Sequence, residues 1–375
     1  MAEAGAYDAA IVGGGPAGAA TALTLARASR RVLLLDNSKA GDFKIGEGLP
    51  PAAMPLLRDL GLWERFVADG HLPSYGNISA WGSPFLQSTD FIFDPNGHGW
   101  HLDRALFDAS LRDQARETGA NVLCATSLLR QEWDAEVGLW RLSLRGTRGK
   151  IEARCRLLVD ASGRRCMVAR RQGARRLADD TLTAVYAVFQ QANGAPNPDQ
   201  DSRTLIEAAP DGWWYAARLP ANRRVAVYHS DADLLPTSAL LARNGFMALI
   251  ERTAHVRDCL AAHGYTMVGL PKVTPAQNAR LERFSGEGWL AVGDAALSFD
   301  PLSSQGIMTA LFAGMEAGQA LHADLSGDPQ ALDLYGARLT AIYQAYLNNR
   351  LRYYSHEGRW RGRTFWRRRV GTLPD

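Results

Sequence analysis

Lysine is almost missing from this 375-residue chain: Lys39, Lys44, Lys150 and Lys272 are the only four among 42 basic residues. Cysteine is equally scarce, with Cys124, Cys155, Cys166 and Cys259 at no paired or metal-ligand spacing. That excludes a disulfide scaffold and a zinc module, so no metal is expected and the thiols are expected to be reduced, in a cytoplasmic protein. No apolar run reaches the roughly 18 residues of a membrane span; the longest, 9–12 continuing through 17–28, is interrupted by glycines, and no cleavable signal is recognisable. Net charge is small at +3, with 46% apolar and 22% charged residues, a globular balance that excludes disorder and a coiled coil. The total hides a segregation, because residues 350–369 hold eight arginines and one acid, Glu357. No nucleic-acid recognition motif accompanies this tail, and Trp360, Phe365 and Trp366 suit it to packing back onto the body. Nucleic acid is therefore not an expected partner, and docking of an acidic peptide or protein ranks below a structural role.

What is present reads as about two domains of roughly 100–200 residues. Residues 7–12 predict a buried strand, 16–28 a helix rich in Ala, Leu and Thr, and 31–36 an apolar strand ending in an acid. This is the βαβ unit of a doubly wound parallel sheet. Residues 102–118 have helical spacing closed by Gly119, while 121–125, 133–144 and 151–160 predict strands. Alternation in 181–190, 204–208, 212–218 and 224–230 predicts an antiparallel sheet, and 308–321 and 332–353 predict helices. The expected class is α/β, with a Rossmann-like nucleotide-binding domain from 1–72, 101–177 and 276–330. A mostly antiparallel substrate-domain sheet from 73–100 and 178–275 is inserted in it, and a C-terminal helix and basic tail occupy 331–375.

The segment 13–18, GGGPAG, fits G-x-G-x-x-G between the first strand and helix. Gly13 permits the tight turn, Gly15 lets the backbone approach a pyrophosphate and Gly18 lets the helix pack on the strand. Asp36, eighteen residues beyond Gly18 at the end of the second strand, can accept hydrogen bonds from a ribose. Two further strands end in D-A-S-G (Asp160 to Gly163) and in G-D (Gly293 and Asp294). A strand-terminal carboxylate beside glycine suits the ribityl hydroxyls of an extended FAD. Arg104 opens a helix where it can reach a cofactor phosphate or ribose, and Lys44 is placed in the same cofactor set. Pro301 and Gly306 lead into a helix whose positive N-terminus can stabilise a reduced flavin anion.

These three glycine-acid motifs, in this order, resemble the FAD-dependent aromatic hydroxylases of the para-hydroxybenzoate hydroxylase type over most of residues 7–330. The resemblance implies a Rossmann-like FAD-binding domain, with Asp294 on the ribityl chain, Asp160 and Gly163 in a segment touching both FAD and reductant, and Arg104 supporting the cofactor. The segments IGEGLPP at 45–51 and DPLSSQGI at 300–307 resemble the branch of tryptophan halogenases, geranylgeranyl reductases and quinone-cofactor maturation oxygenases. Tryptophan halogenases of this branch carry a glutamate where Ser303 stands and a lysine some tens of residues after the G-E segment, whereas here no lysine occurs between Lys44 and Lys150. Their W-x-W-x-I-P element survives only in part, as WWYAARLP at 213–220.

The resemblance thus favours a monooxygenase using FAD, NAD(P)H and O2 and acting through a hydroperoxide at flavin C4a. Segments 46–51, 80–83, 211–215 with 219–220, and the tail 357–360 and 365–369 more closely resemble maturation flavoproteins that hydroxylate a peptidyl tryptophan during quinone-cofactor formation; that resemblance implies a tryptophan side chain in a peptide or protein partner as substrate, ahead of a free aromatic metabolite, with halogenation and isoprenoid reduction as weaker alternatives. Trp81, Trp213 and Tyr215 are candidate walls of an aromatic pocket. Of the histidines near the predicted substrate sheet, His71, His98, His101 and His229, none is assigned as a catalytic base.

Overall fold

The computed structural model describes residues 6–38 and 43–370. Its larger sheet has four parallel strands side by side in the order Trp289–Ala291, Gly149–Asp160, Tyr7–Val12, Val32–Leu35, with Asn121–Leu123 parallel beyond them. The central strands are buried on both faces, as near-continuous Ala, Ile, Leu and Val runs require. The expected single strand 133–144 is instead a hairpin, Ser127–Asp134 and Leu139–Gly146. Gly138, at φ +67°, lets the chain reverse where the apolar pattern alone gave no sign of a turn.

A seven-stranded sheet forms the second layer, in the order Thr266–Pro275, Leu182–Gln190, Arg223–Asp231, Gly212–Leu219, Thr204–Ala209, Gly76–Ala80, Gln87–Asp90. All its pairs are antiparallel except that between Thr204–Ala209 and Gly76–Ala80. Successive side chains on a strand point to opposite faces, so the adjacent Trp213 and Trp214 are buried in two different cores. Trp214 lies under helices Arg243–Ile250 and His255–Ala262, which the sequence reading missed. Trp213 lies under the C-terminal segment.

That segment comprises helices Ala331–Ser355 and Thr364–Val370. Tyr354, Phe365 and Trp366 are fully buried against the seven-stranded sheet. Arg369 follows them inward and pairs with Asp231 at 2.6 Å, while the exposed Arg368 pairs with Asp231 and Asp233 and the exposed Arg363 with Asp211. Burial opposes the Glu357 charge, but hydrogen bonds from Arg359 and from the Gly82 N–H hold its carboxyl below the ordinary range. The aromatic tail therefore packs back onto the body, as its composition suggested. Among the described residues no helix is long and apolar enough to cross a membrane, and all four cysteines are free thiols.

The chain returns to the first sheet through helix Gly306–Leu325, which lies along helix Pro16–Arg27. The contact is close enough that a Cβ on Gly314 would stand 2.4 Å from the Ala17 carbonyl oxygen and one on Gly318 2.5 Å from Thr24 Cβ. Gly314→Ala should lower stability by about 1–3 kcal/mol, read by denaturant unfolding, because the obstacle is backbone that cannot rotate away. Trp366→Ala should cost about 3–5 kcal/mol in the same measurement, as expected for emptying a fully buried indole site.

Candidate cofactor site

The sequence motifs meet at the carboxyl ends of the parallel strands. Gly13 follows Val12, Asp36 follows Leu35, Ala161 follows Asp160, and Val292 leads from Ala291 into Gly293 and Asp294. Backbone bonds cross-link these ends: Gly13 N–H donates to Leu35 O at 2.8 Å, Ala161 N–H to Val12 O at 3.0 Å and Val292 N–H to Asp160 O at 2.9 Å. Open α/β sheets bind ligands outside this edge, where the strand order reverses.

The glycines divide into two groups. Gly13 (φ +120°) has Ala161 O 2.1 Å from where a Cβ would be, and Gly18 has Gly13 O at 1.9 Å. Both are required by the fold itself. A Cβ on Gly15, Gly163 or Gly306 would meet nothing within 4 Å. Gly15 opens the helix Pro16–Arg27, so the space it leaves faces unpaired helix N–H groups. Gly293, Asp294 and Gly306 line one cleft together with Thr309 and Ala310. An unobstructed helix N-terminus at Gly15 and a half-exposed carboxylate at Asp294 (42% exposed) are the kinds of group that an extended dinucleotide such as FAD would use.

Charged side chains frame this edge. Asp36 is 5% exposed, pairs with Arg112 at 2.8 Å and accepts from the Ser38 hydroxyl at 2.6 Å. Arg112 also donates to Gly14 O at 3.2 Å, tying the glycine turn to Asp36. Arg104 donates to Gly46 O at 2.7 Å and to Asp108, and Lys44 reaches the same Asp108 at 2.8 Å. Arg104 and Lys44 thus hold the segment 44–46 against the helix Arg104–Glu117, which Asp103 caps through the Ala105 and Leu106 N–H groups. Asp108 and Arg112 were not singled out in the sequence; their signal was the i, i+4, i+8 stripe with Arg104 on one helix face.

Three expectations need correction. The Asp160 carboxyl is fully buried: it accepts from Ser162 N–H and Oγ and from Ala169 N–H, and burial pushes its pKa up. It shapes the turn that presents Gly163 and offers no free carboxylate to a ligand. Trp81 and Trp213 are not pocket walls. Trp213 is 0% exposed, and Trp81 donates to Tyr353 O at 2.9 Å and meets Trp213, Tyr354 and Trp366 edge-on. The C-terminal aromatics take the face that the sequence left free for substrate.

Tyr215 differs from both tryptophans. Its hydroxyl lies 3.6 Å from where a Cβ on Gly48 would be, beside the Glu47 carboxyl, which is 1% exposed. Burial pushes both groups above their ordinary values, Tyr215 further because of the Glu47 charge. Tyr215, Phe43, Ile45, Ile206 and Leu302 all pack against the buried cluster that holds Tyr186 and Trp213, which brings the 43–48 and 300–306 segments onto the sheet. His101 and His229 are buried and pushed down to about 3 by that burial, which keeps them neutral; His71 is lowered for the same reason.

Comparison with known proteins gives the family and the fold. The profile of the family described as FAD binding domain matches residues 6–350. The putative FAD-dependent oxidoreductase LodB of Marinomonas mediterranea is 32% identical over 370 residues, covering 97% of this chain and 96% of that protein. The peptidyl tryptophan dihydroxylase QhpG, essential for tryptophylquinone cofactor biogenesis, superposes with a TM-score of 0.79 at 26% identity, over 99% of this chain and 80% of that one. The myxobacterial chondrochloren halogenase CndH shares the fold with a TM-score of 0.89 at 24% identity, over 99% and 87%.

The two groups of glycines give a direct test. Gly15→Ala should unfold as the wild type does yet bind FAD about tenfold or more weakly, whereas Gly18→Ala should fail first in stability. Purified wild type should be yellow, and equilibrium titration with FAD followed by flavin fluorescence checks each variant; equal FAD affinity in Gly15→Ala and wild type would exclude this edge as the pyrophosphate site.

Proposed function

This chain belongs to the FAD-binding-domain family of flavin-dependent oxidoreductases, and we propose that it is a monooxygenase that hydroxylates a tryptophan side chain presented by a peptide or protein partner. FAD, when bound and reduced by a nicotinamide donor, supplies the oxygen-transferring chemistry with O2. The protein's residues do the rest. The helix N-terminus at Gly15 takes the pyrophosphate, Asp36 the adenosine ribose and Asp294 the ribityl hydroxyls. The 301–306 segment, with Pro301 and Gly306, borders the flavin, and Phe43, Ile45, Tyr186 and Leu302 exclude water from the reacting ring. An indole is electron-rich without deprotonation, so the absence of a histidine able to ionise in this cluster suits an indole better than a phenol.

The observation that carries the choice of oxygenation is the fate of the lysines. Lys44 is committed to Asp108, Lys150 is exposed at the start of strand Gly149–Asp160, Lys39 lies outside the described residues, and Ser303 stands in the 301–303 turn where halogenases of the tryptophan type have glutamate. The similarity to QhpG supports a polypeptide substrate. A halogenating reaction is the second reading, favoured by the likeness to halogenases and by Lys272, which pairs across the sheet with Tyr186 and so shares its face.

Protein loaded with FAD, supplied with NADH, a flavin reductase and 18O2, and given tryptophan-containing peptides should yield peptides heavier by one or two labelled oxygens. A halide-dependent mass gain without label would replace the proposal with the halogenase reading, and Lys272→Met should then abolish it.

A further inference from the structure

Helix Ala331–Ser355 carries Tyr346, Arg350 and Tyr354 at intervals of four, in a single stripe. All three converge on Asp300, which is 1% exposed. The Asp300 N–H donates to the Tyr346 hydroxyl oxygen at 2.8 Å, while Asp300 Oδ2 accepts from Tyr354 Oη at 2.8 Å and from Arg350 Nε at 3.3 Å. The remaining oxygen, Oδ1, accepts from Leu302 N–H at 3.0 Å and caps the turn Pro301–Ser303. Immediately beyond it Ser304 takes a left-handed conformation, φ +50°, before Gly306 opens the next helix. A non-glycine residue persists there only where its surroundings hold it.

The same stripe reaches the other layer. Arg350 Nη2 bonds Asp180 at 2.6 Å, and Asp180 accepts from the Leu182 N–H at the start of a strand of the seven-stranded sheet. Tyr354 Oη accepts from Trp213 Nε1 at 3.1 Å. Burial works against the Arg350 cation, but Asp300, Tyr354 and Asp180 outweigh it and hold it charged. One arginine therefore stands between two carboxylates directly behind the segment that borders the flavin.

We propose that Asp300 and Arg350 form an electrostatic positioning pair for the flavin site: together they fix the 301–306 segment, and their opposed charges set the potential felt by a reduced, anionic flavin beside it. The pair rests on the flavin-site reading above and extends it to the C-terminal helix, which becomes part of the site. Neither residue is required to touch the cofactor. Charge in a low-dielectric surrounding acts across several ångströms.

The test is the midpoint potential of protein-bound FAD, measured by equilibrium reductive titration against a redox dye in wild type, Asp300→Asn and Arg350→Met. Losing the Asp300 charge removes one of the two negative charges that face the arginine, leaving it balanced by Asp180 alone, and should move the potential positive. Losing the Arg350 cation leaves two carboxylates and should move it negative. Asp180→Asn removes one negative charge from the same arginine without touching the Pro301 turn; it should shift in the positive direction, and serves if Asp300→Asn does not fold. Opposite signs support the pair. Shifts of the same sign, or none, in variants that bind FAD as wild type does overturn it and leave these residues purely structural. Failure of the wild type to bind FAD overturns the flavin reading itself, and the pair with it.

Discussion

Everything at the proposed flavin site hangs on a backbone-to-backbone approach that only a missing side chain permits. Gly18 lies against Gly13 O, Gly13 against Ala161 O, and Gly314 against Ala17 O, each with less than 2.5 Å between a virtual Cβ and a carbonyl oxygen. Strand Tyr7–Val12, helix Pro16–Arg27, strand Gly149–Asp160 and helix Gly306–Leu325 are thereby drawn into one block, although they are separated by up to some three hundred residues in the chain. Because these contacts are between main chains, they fix the relative heights of the elements more tightly than apolar side chains can. The open space at Gly15, Gly163 and Gly306 is what remains once that block has closed.

Much of this was legible in the sequence because it is local. A strand, a glycine turn and a helix announce themselves within some twenty residues, and the G-D and D-A-S-G strand ends carry their own signatures. The long-range partners were not. Arg112 meets Asp36 only because the sheet sets the helix Arg104–Glu117 beside the second strand. The roles of Trp81 and Trp213 could not be read from their own segments, since what covers them, Tyr354, Phe365 and Trp366, lies some 140 to 285 residues further on. Asp160 was misjudged for another reason: a carboxylate next to a turn can serve a ligand or the turn itself, and the two leave the same trace in sequence.

The arginine-rich tail shows how charge composition can mislead in the opposite direction. Eight arginines in twenty residues invite an external partner, yet five of them are paired with acids of the chain. Arg369 and Asp231 are both about 1% exposed at their side chains. Such a pair contributes little net stability because desolvation offsets its attraction, but leaving either charge alone costs about 3–5 kcal/mol. Its consequence is specificity of docking: the tail seats in one register, Arg369 over the Phe365 ring and on Asp231, and that register places Tyr354 and Arg350 on Asp300. Scarcity of lysine belongs to the same pattern, since the forked, weakly hydrated guanidinium suits buried pairs better than an ammonium.

The central claim is that the carboxyl edge of the parallel strands is an FAD site, closed on one side by a segment that the C-terminal helix holds. A crystal structure of the protein soaked or co-crystallised with FAD measures this most directly. The account predicts pyrophosphate density at the Gly15 N–H, the ribityl chain beside Asp294 and the isoalloxazine ring against residues 301–306. Flavin bound elsewhere, or an isoalloxazine ring turned away from that segment, would contradict it.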